Sequence, residues 1–296
     1  MDRNYDDILM TAEKESNQPF DKEAWAEKKK AEREEVYDML DKVTDEVSAD
    51  GSKFQQYLDI QSRFSRYSVG NVLLIMAQMP NATRLKDFDG WKENRVSLQR
   101  NQKGIRILEP GNEYQRDDGS IGTSYNVKKV FDISQTKARR GLESEKPDER
   151  SVLMALVSRT PVPMQTVEQL ENPGMGAMYH AQDKKIYVKK GMNAADIFRS
   201  VTQELAHAEL ALSVDNYNRG ENSFRAYCVS YMLCKQYGFP TEQFSFDTLP
   251  GGFAEAEPQD VRAELGVMRD VADSISGRMA RVLSQERNQR TQEQER

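Results

Sequence analysis

Ile197-Phe-Arg-Ser-Val-Thr-Gln-Glu-Leu-Ala-His-Ala208 is the stretch on which the fold of the C-terminal half turns. At 100° per residue, Ile197, Val201, Leu205, Ala208 and Leu212 fall on one stripe, and Gln203, His207, Leu210 and Val214 on a second. Arg199, Thr202, Ala206 and Glu209 form a face suited to water. The segment is therefore expected to be a helix with more than one side to bury, as a central helix has. Its polar spacing is Gln203-Glu204-x-x-His207, which places an amide and an imidazole one helical turn apart with a carboxylate beside them.

That spacing is one letter from H-E-x-x-H, in which two histidines at i and i+4 hold Zn²⁺ and the intervening Glu polarises the metal-bound water. Glu204 and His207 stand in place, but the first ligand position is Gln203. A neutral amide oxygen is a poor substitute for imidazole on zinc, which favours nitrogen and sulfur. The competing reading is a core helix with a hydrogen-bonded histidine.

The chain's 296 residues suggest two domains. Charged residues make up 30%, and the longest apolar run, residues 72–77, falls far short of the roughly 20 residues of a membrane span. No secretory h-region is visible at the N-terminus. Cys228 and Cys234, the only cysteines, match no C-x-x-C pattern and are expected to be buried free thiols, consistent with a reducing cytoplasm.

Residues 1–50 read as a polar leader with a helix over about 21–47, whose Trp25, Val36, Leu40 and Val43 make one narrow apolar seam. Two helices follow, over 54–67 and 71–78, then alternating segments with a hairpin turn at Asp117-Asp-Gly-Ser120. Residues 51–138 thus form an α+β module. The charged, Pro147-containing stretch 139–150 is the linker, and residues 151–255 form a second α+β domain around the Gln203/His207 helix. Residues 256–296 are expected to be an amphipathic helix with a fraying tail.

Residues 51–140 contain 16 basic and 9 acidic side chains, a local excess of seven positive charges in a chain of net charge −6. The remainder carries −13. This basic island, with aromatics interleaved, is a candidate polyanion surface: cations meet phosphates, and aromatic faces stack on bases at roughly 1–3 kcal/mol each. The candidate contacts are Arg63, Arg66, Tyr67, Asn71, Trp91, Lys92, Arg95, Arg100, Lys103, Arg106, Lys128 and Lys129, with Trp91 or Tyr67 expected to stack.

Four blocks in this module carry a family resemblance: Tyr67-Ser-Val-Gly-Asn71-Val-Leu-Leu, Phe88-Asp-Gly-Trp91, Arg100-Asn-Gln-Lys103-Gly104-Ile-Arg-Ile-Leu108 and Val130-Phe-Asp-Ile-Ser-Gln-Thr136. In order and spacing they resemble the N-terminal domain of ArdC-type antirestriction proteins, although Arg100-Asn101 replaces that family's lysine-glycine pair. The resemblance continues through two strands over 174–191, the Gln203/His207 helix, and Ser223-Phe-Arg-Ala-Tyr-Cys-Val-Ser-Tyr-Met-Leu-Cys-Lys-Gln-Tyr-Gly238. It implies a single-stranded-DNA-binding module of a bacterial mobile element followed by a zincin-like metallopeptidase domain. Where that family is expected to place its third zinc ligand, a Glu, this chain has Tyr227. Phenols titrate near pH 10, so tyrosinate ligation is costly at neutral pH. His180, the only other histidine, is a remote substitute.

Three functions follow. The first is a single-stranded-DNA-binding protein, cytoplasmic and without a membrane segment, whose Glu204 and His207 are vestiges of a metal site and which needs no cofactor. The second is a zinc peptidase with a rebuilt site around His207 and Glu204. In the third, the zincin-like domain is a scaffold for a protein client. Ligand count favours the first, because a catalytic zinc needs three protein ligands and an open position.

Overall fold

The computed structural model describes residues 21–116, 118–138, 147–213 and 216–294. Asp117 of the hairpin turn, Val214 of the second helical stripe, and residues 139–146 of the linker lie outside them.

Asp50 sets the first corner. It ends helix α1 (Lys22–Ala49), and its carboxylate accepts from Ser52 N at 2.8 Å and Lys53 N at 3.0 Å to start α2 (Gly51–Arg63). The first ten residues of α1 lie in water. Its later turns carry the expected seam into the core, with Val36, Leu40, Val43 and Val47 buried, whereas Trp25 of that seam is exposed. Ser68 caps the apolar α3 (Val69–Gln78).

A three-stranded antiparallel sheet follows, in the order β1 (Leu85–Lys86), β3 (Ile121–Asp132), β2 (Ile105–Gln115). The short helix α4 (Phe88–Glu93) lies between β1 and β2 in the chain. β2 and β3 run in register from Ile105↔Val130 to Gln115↔Ile121, with a bulge between Pro110 and Glu113. The outer edge of β2 is closed by α3. Asn71 donates to Leu108 O and accepts from Leu108 N, both at 2.8 Å, and Gln78 does the same to Arg106 at 2.8 and 2.9 Å. Two amides two turns apart thus stand in for a fourth strand, satisfying backbone groups that would otherwise form an open edge.

The second half opens with α5 (Glu149–Val157) and a three-stranded sheet ordered β4 (Met164–Val167), β6 (Lys185–Lys189), β5 (Ala177–His180). β4 is parallel to β6, and β5 is antiparallel to it. Helices α6 (Ala194–Leu212) and α7 (Arg219–Tyr237) pack together beside β5, and α8 (Pro258–Gln294) crosses both.

The architecture is α+β, and α6 is the central helix. One expected face is corrected. Thr202 and Ala206, assigned to water, are fully buried, and Thr202 Oγ1 lies 2.9 Å from Ser230 Oγ on α7. Small side chains there let the two helices approach, whereas Leu212, on the expected apolar stripe, is exposed at the helix end.

The apolar core runs through both halves of the chain. Phe54 on α2 packs against Phe224 of α7, Phe246 and Phe253, with centroids 5.4–5.7 Å apart. The Tyr231 hydroxyl on α7 donates to Asp59 at 2.6 Å and accepts from Gln55 at 3.1 Å, both on α2.

Candidate functional site

Asn193 caps α6, and the helix delivers Gln203, Glu204 and His207 to the side nearest β5. Alternation along β5 turns Tyr179 inward and leaves His180 exposed, paired with Asp183 at 3.1 Å. His180 therefore points away from the α6 site. Glu204 is 2% exposed and fully engaged. Arg219, the first residue of α7, grips it with two parallel bonds, Nη2 to Oε1 at 2.7 Å and Nη1 to Oε2 at 2.8 Å. Tyr179 N donates to Oε2 at 2.7 Å. The fork-on-carboxylate geometry is the strongest that a side-chain ion pair offers. Although partial burial works against the charge of Arg219, Glu204 holds its pKa above the ordinary value.

His207 is fully buried, and its Nδ1 lies 2.6 Å from the Tyr217 hydroxyl. Burial first, and then the positive charge of Arg219, drive its pKa down to about 3, so the ring is neutral at any ordinary pH. Burial pushes the Tyr217 phenol up to about 12, so it keeps its proton and is able to donate to Nδ1. With that donation the imidazole proton sits on Nε2, which has no hydrogen-bond partner among the described residues. In this tautomer Nε2 presents a hydrogen, not a lone pair.

Tyr227 is also engaged. Its hydroxyl accepts from Ser245 N at 2.7 Å, and its ring packs on Phe244 and Phe246, so it holds the loop after α7. Gln203 and Glu204 line an open cleft of about 350 Å³ with Lys189, Asp196, Arg199 and Ser200. These residues do not fit a divalent metal. The Glu204 carboxylate is bound to a guanidinium and Tyr227 to backbone, and no three His, Cys, Asp or Glu side chains converge among the described residues. Sequence reasoning missed Arg219 and Tyr217. They reach Glu204 and His207 because α7 packs back against α6, and no spacing rule encodes that.

The basic module is sorted just as sharply. Arg63 donates to Pro80 O at 2.7 Å and Ala82 O at 3.0 Å, Asn71 serves β2, and Arg106 pairs with Glu35. Trp91 is 3% exposed, and its Nε1 donates to Phe131 O at 2.9 Å, so its ring is part of the core and offers no face to a base. The exposed ring of that Phe-x-x-Trp pair is Phe88, at 58%.

A cleft of about 470 Å³ brings Tyr67, Asn71 and Lys128 together with Lys86, Asp87 and Glu109. Tyr67 is half-buried, with its phenol raised by burial. Lys128 lies between Glu109 at 2.9 Å and Asp87 at 3.0 Å, which together hold it above its ordinary pKa. Arg66, Lys92, Arg95, Arg100, Lys103 and Lys129 are exposed.

No protein-family model matches the chain. In the Mn(II)-bound crystal structure of the antirestriction ArdC protein from plasmid R388, the similarity covers 82% of this chain and 98% of that one, with a TM-score of 0.50 and 15% identity. The fold is that of ArdC. The metal-free ArdC structure gives a TM-score of 0.44 at 15% identity over 73% of this chain and 86% of that one. The uncharacterized protein pXO2-81 of Bacillus anthracis is 23% identical over 271 residues, 72% of this chain and 46% of the relative. The chain thus spans about half the length of the curated relative it matches. Among the described residues no helix is long and apolar enough to cross a membrane.

Proposed function

We propose that this chain is a single-stranded-DNA-binding protein of the antirestriction type, carried by a mobile element, whose C-terminal unit keeps a zincin-like frame without its chemistry. The observation that carries the reading is the cleft lined by Tyr67 and Lys86, framed by Asn71 and Lys128, inside a module with a local excess of positive charge. The fold shared with the antirestriction protein ArdC supports it.

Phosphates bind Lys92, Arg95, Arg100, Lys103, Arg66 and Lys129 without base readout, while Tyr67 and the exposed Phe88 offer stacking faces. Lys128, already shared by two carboxylates, shapes the cleft more than it binds phosphate. Among the described residues no group of metal-ligating side chains stands ready for an ion such as the neighbour's Mn(II), and a metal beside Glu204 would have to displace Arg219. The C-terminal unit is then a scaffold, with its open cleft at Gln203 available to a protein client.

Fluorescence anisotropy with labelled oligothymidylate across a salt series tests this. Log affinity should fall linearly with log salt, and duplex should bind more weakly. Binding that ignores salt, or prefers duplex, refutes the reading.

A further inference from the structure

We propose that Arg219 is the resident cation of the α6 site, and that its guanidinium, beyond the two altered ligand positions, keeps a divalent metal out. The inference rests on the zincin-like reading of the C-terminal unit. In an H-E-x-x-H helix the glutamate turns its carboxylate toward a metal-bound water. Here both oxygens of Glu204 face Arg219, at 2.7 and 2.8 Å, and one also takes the Tyr179 amide at 2.7 Å.

Three successive residues fix the guanidinium. Tyr217 bonds His207 at 2.6 Å, and Asn218 caps α7 by accepting from Gly220 N at 2.8 Å and Glu221 N at 3.3 Å. Arg219 then meets the carboxylate. The positive charge that this buried carboxylate requires is thus covalently part of the chain. A divalent ion held by His207 would stand against a fixed guanidinium charge with its attraction to Glu204 already spent. At an effective dielectric of about 20, repulsion between a divalent ion and a guanidinium within about 12 Å corresponds to about a hundredfold or more in affinity. Restoring the ligand positions alone leaves that barrier standing.

The test is calorimetric titration of zinc into full-length protein stripped of metal. Four forms are compared: wild type, Gln203→His/Tyr227→Glu, that pair with Arg219→Gln, and that triple with Glu204→Gln added. The fourth removes the carboxylate orphaned by Arg219→Gln, so a folding failure of the triple variant does not end the experiment, and circular-dichroism melts verify each fold. No zinc uptake by wild type and at most weak uptake by the double variant are expected. The variants lacking Arg219 should bind one zinc about a hundredfold or more tighter than the double variant. Equal binding by the double variant, or none by the folded variants lacking Arg219, overturns the proposal while leaving the metal-free reading of wild type intact. Stoichiometric zinc in wild type overturns both.

Discussion

At the residue scale, Glu204 and Arg219 are worth more as a pair than either alone. Arg219→Gln leaves a carboxylate that is 2% exposed without its counter-charge, and removing one partner of a buried pair costs several kcal/mol. Because Arg219 keeps some contact with water, a loss of about 3 kcal/mol is expected in urea denaturation. The double change Glu204→Gln/Arg219→Gln should recover most of it.

His207 gives a second expectation. Its folded pKa of about 3 lies below its unfolded value, so the unfolded chain takes up the proton first as pH falls. This contribution is constant above about pH 6.5 and costs up to about 1.4 kcal/mol per unit below it. Wild type should therefore lose about 2 kcal/mol more than His207→Gln between pH 6.5 and 5; parallel pH profiles would refute the assignment. Sequence spacing singled out His207 and Glu204, but their partners are 10 and 15 residues further on, beyond one helix's periodicity.

At the scale of elements, the edge of β2 and the start of α2 are the exacting positions. Asn71→Ala strips Leu108 of both backbone partners on that edge, and unsatisfied buried groups cost about 1–3 kcal/mol. Its effect on stability should exceed its effect on DNA affinity. Equal losses in both would return Asn71 to the binding surface. Gly51 is required by close approach: a Cβ there would lie 1.8 Å from Phe246 O, inside contact distance of backbone that has little room to yield. Gly51→Ala should lower stability by about 1–3 kcal/mol as measured by thermal melting. The helices expected over 54–67 and 71–78, found as α2 ending at Arg63 and as α3, and the paired strands within 174–191 were legible from capping residues and alternation. The burial of Trp91 was not, because the period of a six-residue helix cannot say which of two aromatics faces the sheet.

At the scale of the whole molecule, charge and core are organised differently. The excess positive charge is local in sequence, and binding should follow it: Lys92→Glu/Arg95→Glu should weaken oligothymidylate binding and flatten its salt dependence. Phe88→Ala should cost about 5- to 100-fold in affinity with little change in melting temperature, because the ring is largely in water. The core, by contrast, ignores the division into halves: α2 is joined to α7 through Phe54, Gln55 and Asp59, and α1 to α8 through Asp41 and Arg262. The sequence by itself determined most of the longer helices and strands, the α+β class, the basic island and the Gln203-Glu204-x-x-His207 spacing, because each depends on composition or on neighbours within a few residues; it read the short α4 as part of an alternating run. Only the tertiary structure decided that Arg219 neutralises Glu204, that Asn71 and Gln78 close a sheet edge, and that one core spans both halves. Those contacts join residues far apart in the chain, whose pairing is fixed by how the elements pack.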